Sequence, residues 1–419
     1  MFPPGSLHPQ TGAPPPGRRR QKRFRVGECP GREAGASRGP LRDVPRAVAC
    51  RGWRRQARGP PPGRPLRPCI LSRPRPNLTA NRLQMGAFMQ GDRDLVILTA
   101  TSGDTGSAVA HAYHGVQHVQ SVVLFPLAEV SNRQRKQMTT LGGNVTTFGV
   151  DGKFDDCQAM VKRAFADPDL AGIQLSSANS INIGRLLPQS VYYVYAYVRL
   201  ANVRSLEPIV FSVPSGNFGD MMGGVLAMRM GVPVSRLVIA TNSNDEVPRF
   251  FETGAYEKIV PSRVSISNAM NVGHPSNLAR LVDAYGGWMD ETGTLKEPPD
   301  LERLRKEFYS VSISDDETRS TIRSTWERHR AMLEPHGAVG WAGLARYLDT
   351  PGAPADSLAV SIETAHPAKF PEEIQSLLGI DPELPPSLAG IESRPETYGR
   401  LTVAYEPFRQ LLKERFLRA

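Results

Sequence analysis

Cysteine is scarce in this 419-residue chain: there are four, and Cys29, Cys50 and Cys69 all precede residue 76. Cys157 stands alone in the remainder, which excludes a disulfide framework there and fits a reducing compartment. The eight histidines are scattered and none pairs with a second ligand at metal spacing. His111 and His114 share one side of a helix pattern, where surface placement is expected. No apolar run reaches membrane length; Val191–Val198 is short, Tyr-rich and bounded by Gln189 and Arg199. No internal repeat emerges. Lysine is missing from a long stretch: Lys22 is the sole lysine before Ala100. Acidic residues are nearly absent from residues 1–75, which hold eighteen Lys and Arg against Glu28, Glu33 and Asp43, a net of +15. The whole chain is +10, so residues 76–419 carry −5.

The basicity therefore belongs to an N-terminal arm. Residues 1–80 are rich in Arg, Pro and Gly, with triplets at Pro14–Pro16 and Pro60–Pro62, few aliphatic side chains and no helix or strand period. Such a segment buries too little apolar area to fold and is expected to be disordered. Arginine blocks attract phosphate, but no nucleic-acid module accompanies them. Arg-rich, acid-poor composition also suits a transit peptide, yet the prolines oppose an amphipathic targeting helix. The composition favours a third reading, a GC-rich gene translated from a wrong start or frame, because the character of the chain changes abruptly near Asn81.

From there the chain alternates apolar strand patterns with helical ones. Strands are predicted at Asp94–Ala100, Ser121–Pro126, Asn144–Val150, Pro208–Pro214, Arg236–Asn242 and Ser357–Thr364, and helices at Ser131–Leu141, Lys153–Ala166 and Ile181–Ala201. Charged helices are expected at Asp300–Ser310 and Asp315–Arg330. This order predicts an α/β protein with two open, mainly parallel sheets flanked by helices, ligands gathering at the carboxyl ends of the strands. The body is long enough for two α/β domains, placed at residues 81–205 and 206–419.

Two strand–helix junctions carry the chemistry. Leu95–Thr99 runs into Ser102-Gly103-Asp104-Thr105-Gly106, and Pro208–Pro214 runs into Ser215-Gly216-Asn217-Phe218-Gly219-Asp220. Glycines let the backbone approach a ligand, and the helix behind offers unpaired N–H groups and a positive dipole end. Each turn alone is an ordinary capped helix; the pair suits two ligands that each carry a phosphate.

Five segments in order, ATSGDTGSA from Ala100, NSINIGRLLPQ from Asn179, VPSGNFGD from Val213, TNSNDEVPRF from Thr241 and ETAHPAKFPE from Glu363, resemble threonine synthase. That family has the tryptophan-synthase-like fold, fold type II among pyridoxal phosphate (PLP) enzymes, and converts O-phospho-L-homoserine and water to L-threonine and phosphate. The resemblance implies that Gly216, Asn217, Phe218, Gly219 and Asp220 cradle the PLP phosphate and that Thr364 lies near the pyridine nitrogen. It places Ser102, Thr105, Asn182 and Arg185 on the substrate's phosphate and carboxylate, although an Asn before a helix is also a cap and a helical Arg also a surface ion pair. Leu333–Gly340 resembles a further family segment, with His336 either near the site or at a helix entry. No metal, nucleic acid or membrane is implied, and a cytoplasmic enzyme is expected.

One family feature is missing. The resemblance implies a Schiff-base lysine in a Phe-Lys-Asp motif upstream of the Ser102 turn, and Lys22 is the only lysine there. Such a lysine both activates the cofactor for exchange with the substrate amine and moves protons. The chain as written is therefore expected to be impaired. The alternatives are a non-catalytic binder of PLP or a phospho-amino acid, and a related phospho-lyase.

Overall fold

The computed structural model describes residues 48–50, 95–180, 182–290, 292–354 and 357–417. Lys22 and the basic arm fall outside the described residues, apart from one short strand, β1 (Val48–Cys50). The others are β2 (Leu95–Ala100), β3 (Val119–Pro126), β4 (Val145–Asp151), β5 (Gln174–Ser177), β6 (Ile209–Pro214), β7 (Val234–Thr241), a hairpin of β8 (Trp288–Met289) and β9 (Leu295–Glu297), β10 (Phe308–Ser312), β11 (Leu358–Ser361) and β12 (Gly399–Thr402).

The strands form two five-stranded sheets, in the orders β12-β4-β3-β2-β5 and β1-β11-β6-β7-β10. All pairings within them are parallel except that of β1 with β11. β2 and β6, LVILTA and IVFSVP, are buried at every position because helices cover both faces of each sheet. The core of the β6 sheet gathers Phe211, Val213, Leu237 and Ile239 with Tyr193 and Tyr197 from the helix Ser190–Leu200. That of the β2 sheet gathers Val96, Leu98, Val122 and Leu124 with Phe154, Met160 and Phe408.

Four expectations are corrected. The division at 205/206 does not follow the packing: β12 joins β4 and the helix Tyr405–Phe416 covers the β2 sheet, while the helix Ser190–Leu200 packs in the core of the other. The expected arm contributes β1, which pairs with the edge of β11 from Val48↔Ser361 to Cys50↔Ala359. The helix expected over Asp300–Ser310 ends at Glu307, where Phe308, Tyr309 and Val311 bring aromatic and β-branched content, and β10 pairs with β7. The helix expected over Ile181–Ala201 is broken into Ile183–Leu186, a 3₁₀ turn containing Pro188, and Ser190–Leu200, since proline lacks the N–H a continuous helix needs.

Candidate active site

The turns that follow β2, β6 and β11 are drawn together by two side-chain bridges. The first is the NSIN segment. Asn179 clamps the end of β2, its Nδ2 donating to the Ala100 carbonyl at 2.6 Å and its Oδ1 accepting the Ala100 N–H at 3.2 Å. The next residue, Ser180, offers its carbonyl to Asn277 Nδ2 at 3.1 Å, and the same amide group donates to the Asn217 carbonyl at 2.8 Å. The second bridge is the 3₁₀ turn Asn268–Met270. Asn268 Nδ2 donates to Gln134 Oε1 at 2.9 Å, Gln134 Nε2 donates to Asp104 Oδ1 at 3.2 Å, and Ala269 N–H donates to His336 Nε2 at 3.1 Å. A Cβ on Gly216 would stand 2.9 Å from the Ala269 carbonyl, so only glycine lets these segments meet.

The turn after β6 presents a row of unpaired backbone N–H groups. Ser215 N–H donates to the Ala240 carbonyl, whereas the next four N–H groups, of Gly216, Asn217, Phe218 and Gly219, find no acceptor among the described residues. Phe218 is buried and left-handed, with φ 61°, and caps the eleven-residue helix Gly219–Arg229. Consecutive free N–H groups at a helix N-terminus fit a phosphate. Asp220 sits in the first turn, its main-chain carbonyl held by the Tyr193 hydroxyl at 2.9 Å. Thr364 lies beside this turn, since β11 runs parallel to β6 and Ile362 N–H donates to the Ser212 carbonyl; its hydroxyl has no partner among the described residues.

The turn after β2 holds Ser102 and Thr105, whose hydroxyls likewise have no partner among the described residues; Ser102 is only 8% exposed. Gly103 has φ 128°, and a Cβ there would strike the Gln134 amide at 2.6 Å. Asn182 is a helix cap, accepting the Gly184 N–H at 2.9 Å and donating to the Ser177 carbonyl at 3.0 Å. Arg185 is buried rather than a surface ion pair, and donates to the Ala178 carbonyl.

Of the charged groups at this junction, sequence reasoning offered only His336, as either near the site or at a helix entry, and missed the others. Lys369 Nζ is 2.7 Å from Asp104 Oδ1. Burial alone would raise the Asp104 carboxyl, but Lys369, His336 and Gln134 more than offset it and hold its pKa below the ordinary range. His336 Nδ1 donates to Glu334 Oε2 at 2.5 Å; burial opposes the charged ring, the Glu334 carboxylate outweighs it, and its pKa moves up. The Ala269 N–H on Nε2 places the proton shared with Glu334 at Nδ1. Glu363, 2% exposed, packs against Gly337 with Oε1 unpartnered among the described residues. Burial, then the neighbouring Glu334, raise its pKa well above the ordinary range and favour the neutral acid. Asp104 and Lys369 stood inside motifs already recognised; what sequence could not show is that the two motifs meet.

Residues 79–362 match the pyridoxal-phosphate dependent enzyme family and residues 337–411 the threonine synthase C-terminal family. The chain is 41% identical over 307 residues to threonine synthase from Serratia marcescens, covering 73% of this chain and 67% of that one. It is 40% identical over 330 residues to that of Escherichia coli K12, covering 78% and 72%. Among solved structures, Escherichia coli threonine synthase superposes with a TM-score of 0.70 at 38% identity, covering 81% of this chain and 74% of that one. PLP-bound threonine synthase from Brucella melitensis gives 0.71 at 34%, covering 82% and 75%. This fold and site define a PLP-dependent enzyme of fold type II, with a small molecule as substrate. Within that class, the chain belongs to the threonine synthase family.

No metal-binding group of three His, Cys, Asp or Glu occurs among the described residues, and no helix among them is long and apolar enough to cross a membrane.

Proposed function

We propose that this site carries out the threonine synthase reaction, converting O-phospho-L-homoserine and water to L-threonine and inorganic phosphate in the cytoplasm. The observation that carries the reading is the pairing of two anion-binding turns, one on each sheet, bridged by Asn179–Ser180–Asn277. The N–H groups of Gly216–Gly219 would hold the PLP phosphate, with Asp220 in the same turn, and Thr364 would face the ring. When bound, PLP supplies the electron sink for loss of phosphate and addition of water. Ser102, Thr105 and Arg185 orient the substrate's acidic groups, and Asn182 shapes the segment that presents Arg185. Burying the reacting atoms between two sheets excludes bulk water and strengthens each of these hydrogen bonds.

A second reading rests on the lysines. No Phe-Lys-Asp motif occurs in the sequence. Seven lysines lie downstream of Ala100 besides Lys369, and those with a partner serve other contacts, such as Lys136 with Glu392 and Lys413 with Asp169. A chain without an anchoring amine binds PLP in its phosphate cradle and turns over slowly or not at all. One experiment separates the readings: PLP is added to the purified chain, reduced with borohydride, and the peptides are weighed, while formation of phosphate and L-threonine from O-phospho-L-homoserine is followed in parallel. A pyridoxyl adduct on one lysine, with L-threonine formed alongside the phosphate, supports the synthase; PLP binding with neither supports the binder; no PLP binding defeats both.

A further inference from the structure

We propose that Lys369 is a cationic ligand for an acidic group of the substrate, and that Asp104 is the positioning residue that holds it over the Ser102–Thr105 turn. The inference rests on the substrate-side reading given above. Lys369 ends the 3₁₀ turn Pro367–Lys369 and its backbone is fixed from the other sheet. Ser131 Oγ donates to the Lys369 carbonyl at 2.6 Å, and Arg133 Nη1 donates to the Ala368 carbonyl at 3.0 Å. Ser131 is also the cap of the helix Asn132–Thr139, whose Gln134 reaches Asp104. The side chain is thus presented by a rigid support.

Asp104 opens the ten-residue helix behind the turn, beside the hydroxyls of Ser102 and Thr105. A carboxylate there opposes any anion approaching the helix end, unless its charge is balanced. Lys369 balances it. An ammonium has three N–H donors, and Asp104 Oδ1 is the sole partner of Lys369 Nζ among the described residues. The ammonium keeps two donors beyond that contact, at a turn where the hydroxyl of the nearly buried Ser102 is also unpartnered. Thr101 Oγ1 takes the Gly103 and Gly106 N–H groups, whereas those of Asp104 and Thr105 have no acceptor among the described residues; with the cation and two hydroxyls they form a receptor for a carboxylate or phosphate, the two acidic groups of a phosphorylated amino acid.

The competing explanation is that Lys369 only neutralises Asp104. Calorimetry with 5-phosphonopentanoate separates the two, because this probe carries a carboxylate and a phosphonate but no amine to react with PLP. The full chain is titrated with PLP present, as wild type and as Lys369→Gln, Asp104→Asn, Asp104→Ala and the Lys369→Gln/Asp104→Asn double variant. If Lys369 binds the ligand, Lys369→Gln and the double variant both lose affinity by about tenfold or more, the effect of a charge-assisted hydrogen bond. Asp104→Asn keeps an oxygen to hold the ammonium and loses the opposing charge, so it then binds at least as well as wild type, and Asp104→Ala, which cannot hold the ammonium, binds more weakly than Asp104→Asn. A double variant that binds like wild type overturns the proposal, and it decides the matter alone if Lys369→Gln does not fold. Failure of the wild type to take the probe overturns the substrate-side reading and the proposal with it.

Discussion

Glu246, in the first turn of the helix Glu246–Thr253, is buried, and its Oε2 has no partner among the described residues. Burial raises its pKa from 4.5 to about 7. A raised carboxyl binds more protons folded than unfolded between these values, so its contribution to stability is full below pH 4.5 and is lost as pH rises towards 7. The shift corresponds to about 3 kcal/mol. Glu246→Gln cannot titrate, so it should gain relative to wild type between pH 4.5 and 7.5; urea unfolding at pH 5 and pH 8 measures this, and an identical difference at both sinks it. Gly216 makes a different kind of prediction. Gly216→Ala pushes the Ala269 carbonyl away from the phosphate cradle, and PLP affinity should fall by tenfold or more, roughly one good hydrogen bond. Unchanged PLP absorbance titrations would show that the cradle tolerates the shift.

Which elements could be read in advance followed from burial. β2, β3, β6 and β7 each contain an apolar run, VVLFP within β3 and LVIA within β7, and runs of that kind come from strands covered on both faces. β5, QLSS, and β12, GRLT, lie at the edges of one sheet, where solvent exposure removes the apolar pattern that would reveal them. The site divided the same way. The two Gly-containing turns were legible because a strand followed by small residues and a helix is a local pattern. The bridges were not, since Asn277 joins Ser180 to Asn217 across 97 and 60 residues of sequence and nothing local marks that. The structural reading of Asn277 leads to a test. Asn277→Ala removes both side-chain hydrogen bonds at once, breaking the link to the Ser180 carbonyl and leaving the Asn217 carbonyl only the main-chain N–H of residue 277. The midpoint of thermal unfolding should rise less on adding PLP than it does for wild type, because ligand stabilisation scales with affinity. An equal rise in both proteins would remove Asn277 from the cofactor's support.

At the scale of the molecule, the question is which apolar surface the fold leaves open. The described edge of β11 is taken by β1. Among the exposed apolar residues, Val191, Val194 and Val198 recur at spacings of three and four along the helix Ser190–Leu200 and so share one side, and Ile183 and Leu187 are exposed in the two short elements before it. Val191 and Val198 are 57% and 52% exposed, whereas Tyr192, Tyr193, Ala196 and Tyr197 on the opposite side are buried in the core of the β6 sheet. The helix is therefore secured by its inner face, and its outer face adds a continuous apolar strip to the surface. Strips of this kind drive association. Replacing Val191 and Val198 together with Glu should increase the soluble fraction and the proportion of monomer seen by size-exclusion chromatography with light scattering. The unfolding midpoint should stay close to that of wild type, because neither side chain reaches the core and exposed substitutions usually change stability by about 0.5 kcal/mol or less. If the double variant aggregates as wild type does, the association comes from another surface. If it unfolds at much lower temperature, the strip is covered by packing that matters to the fold.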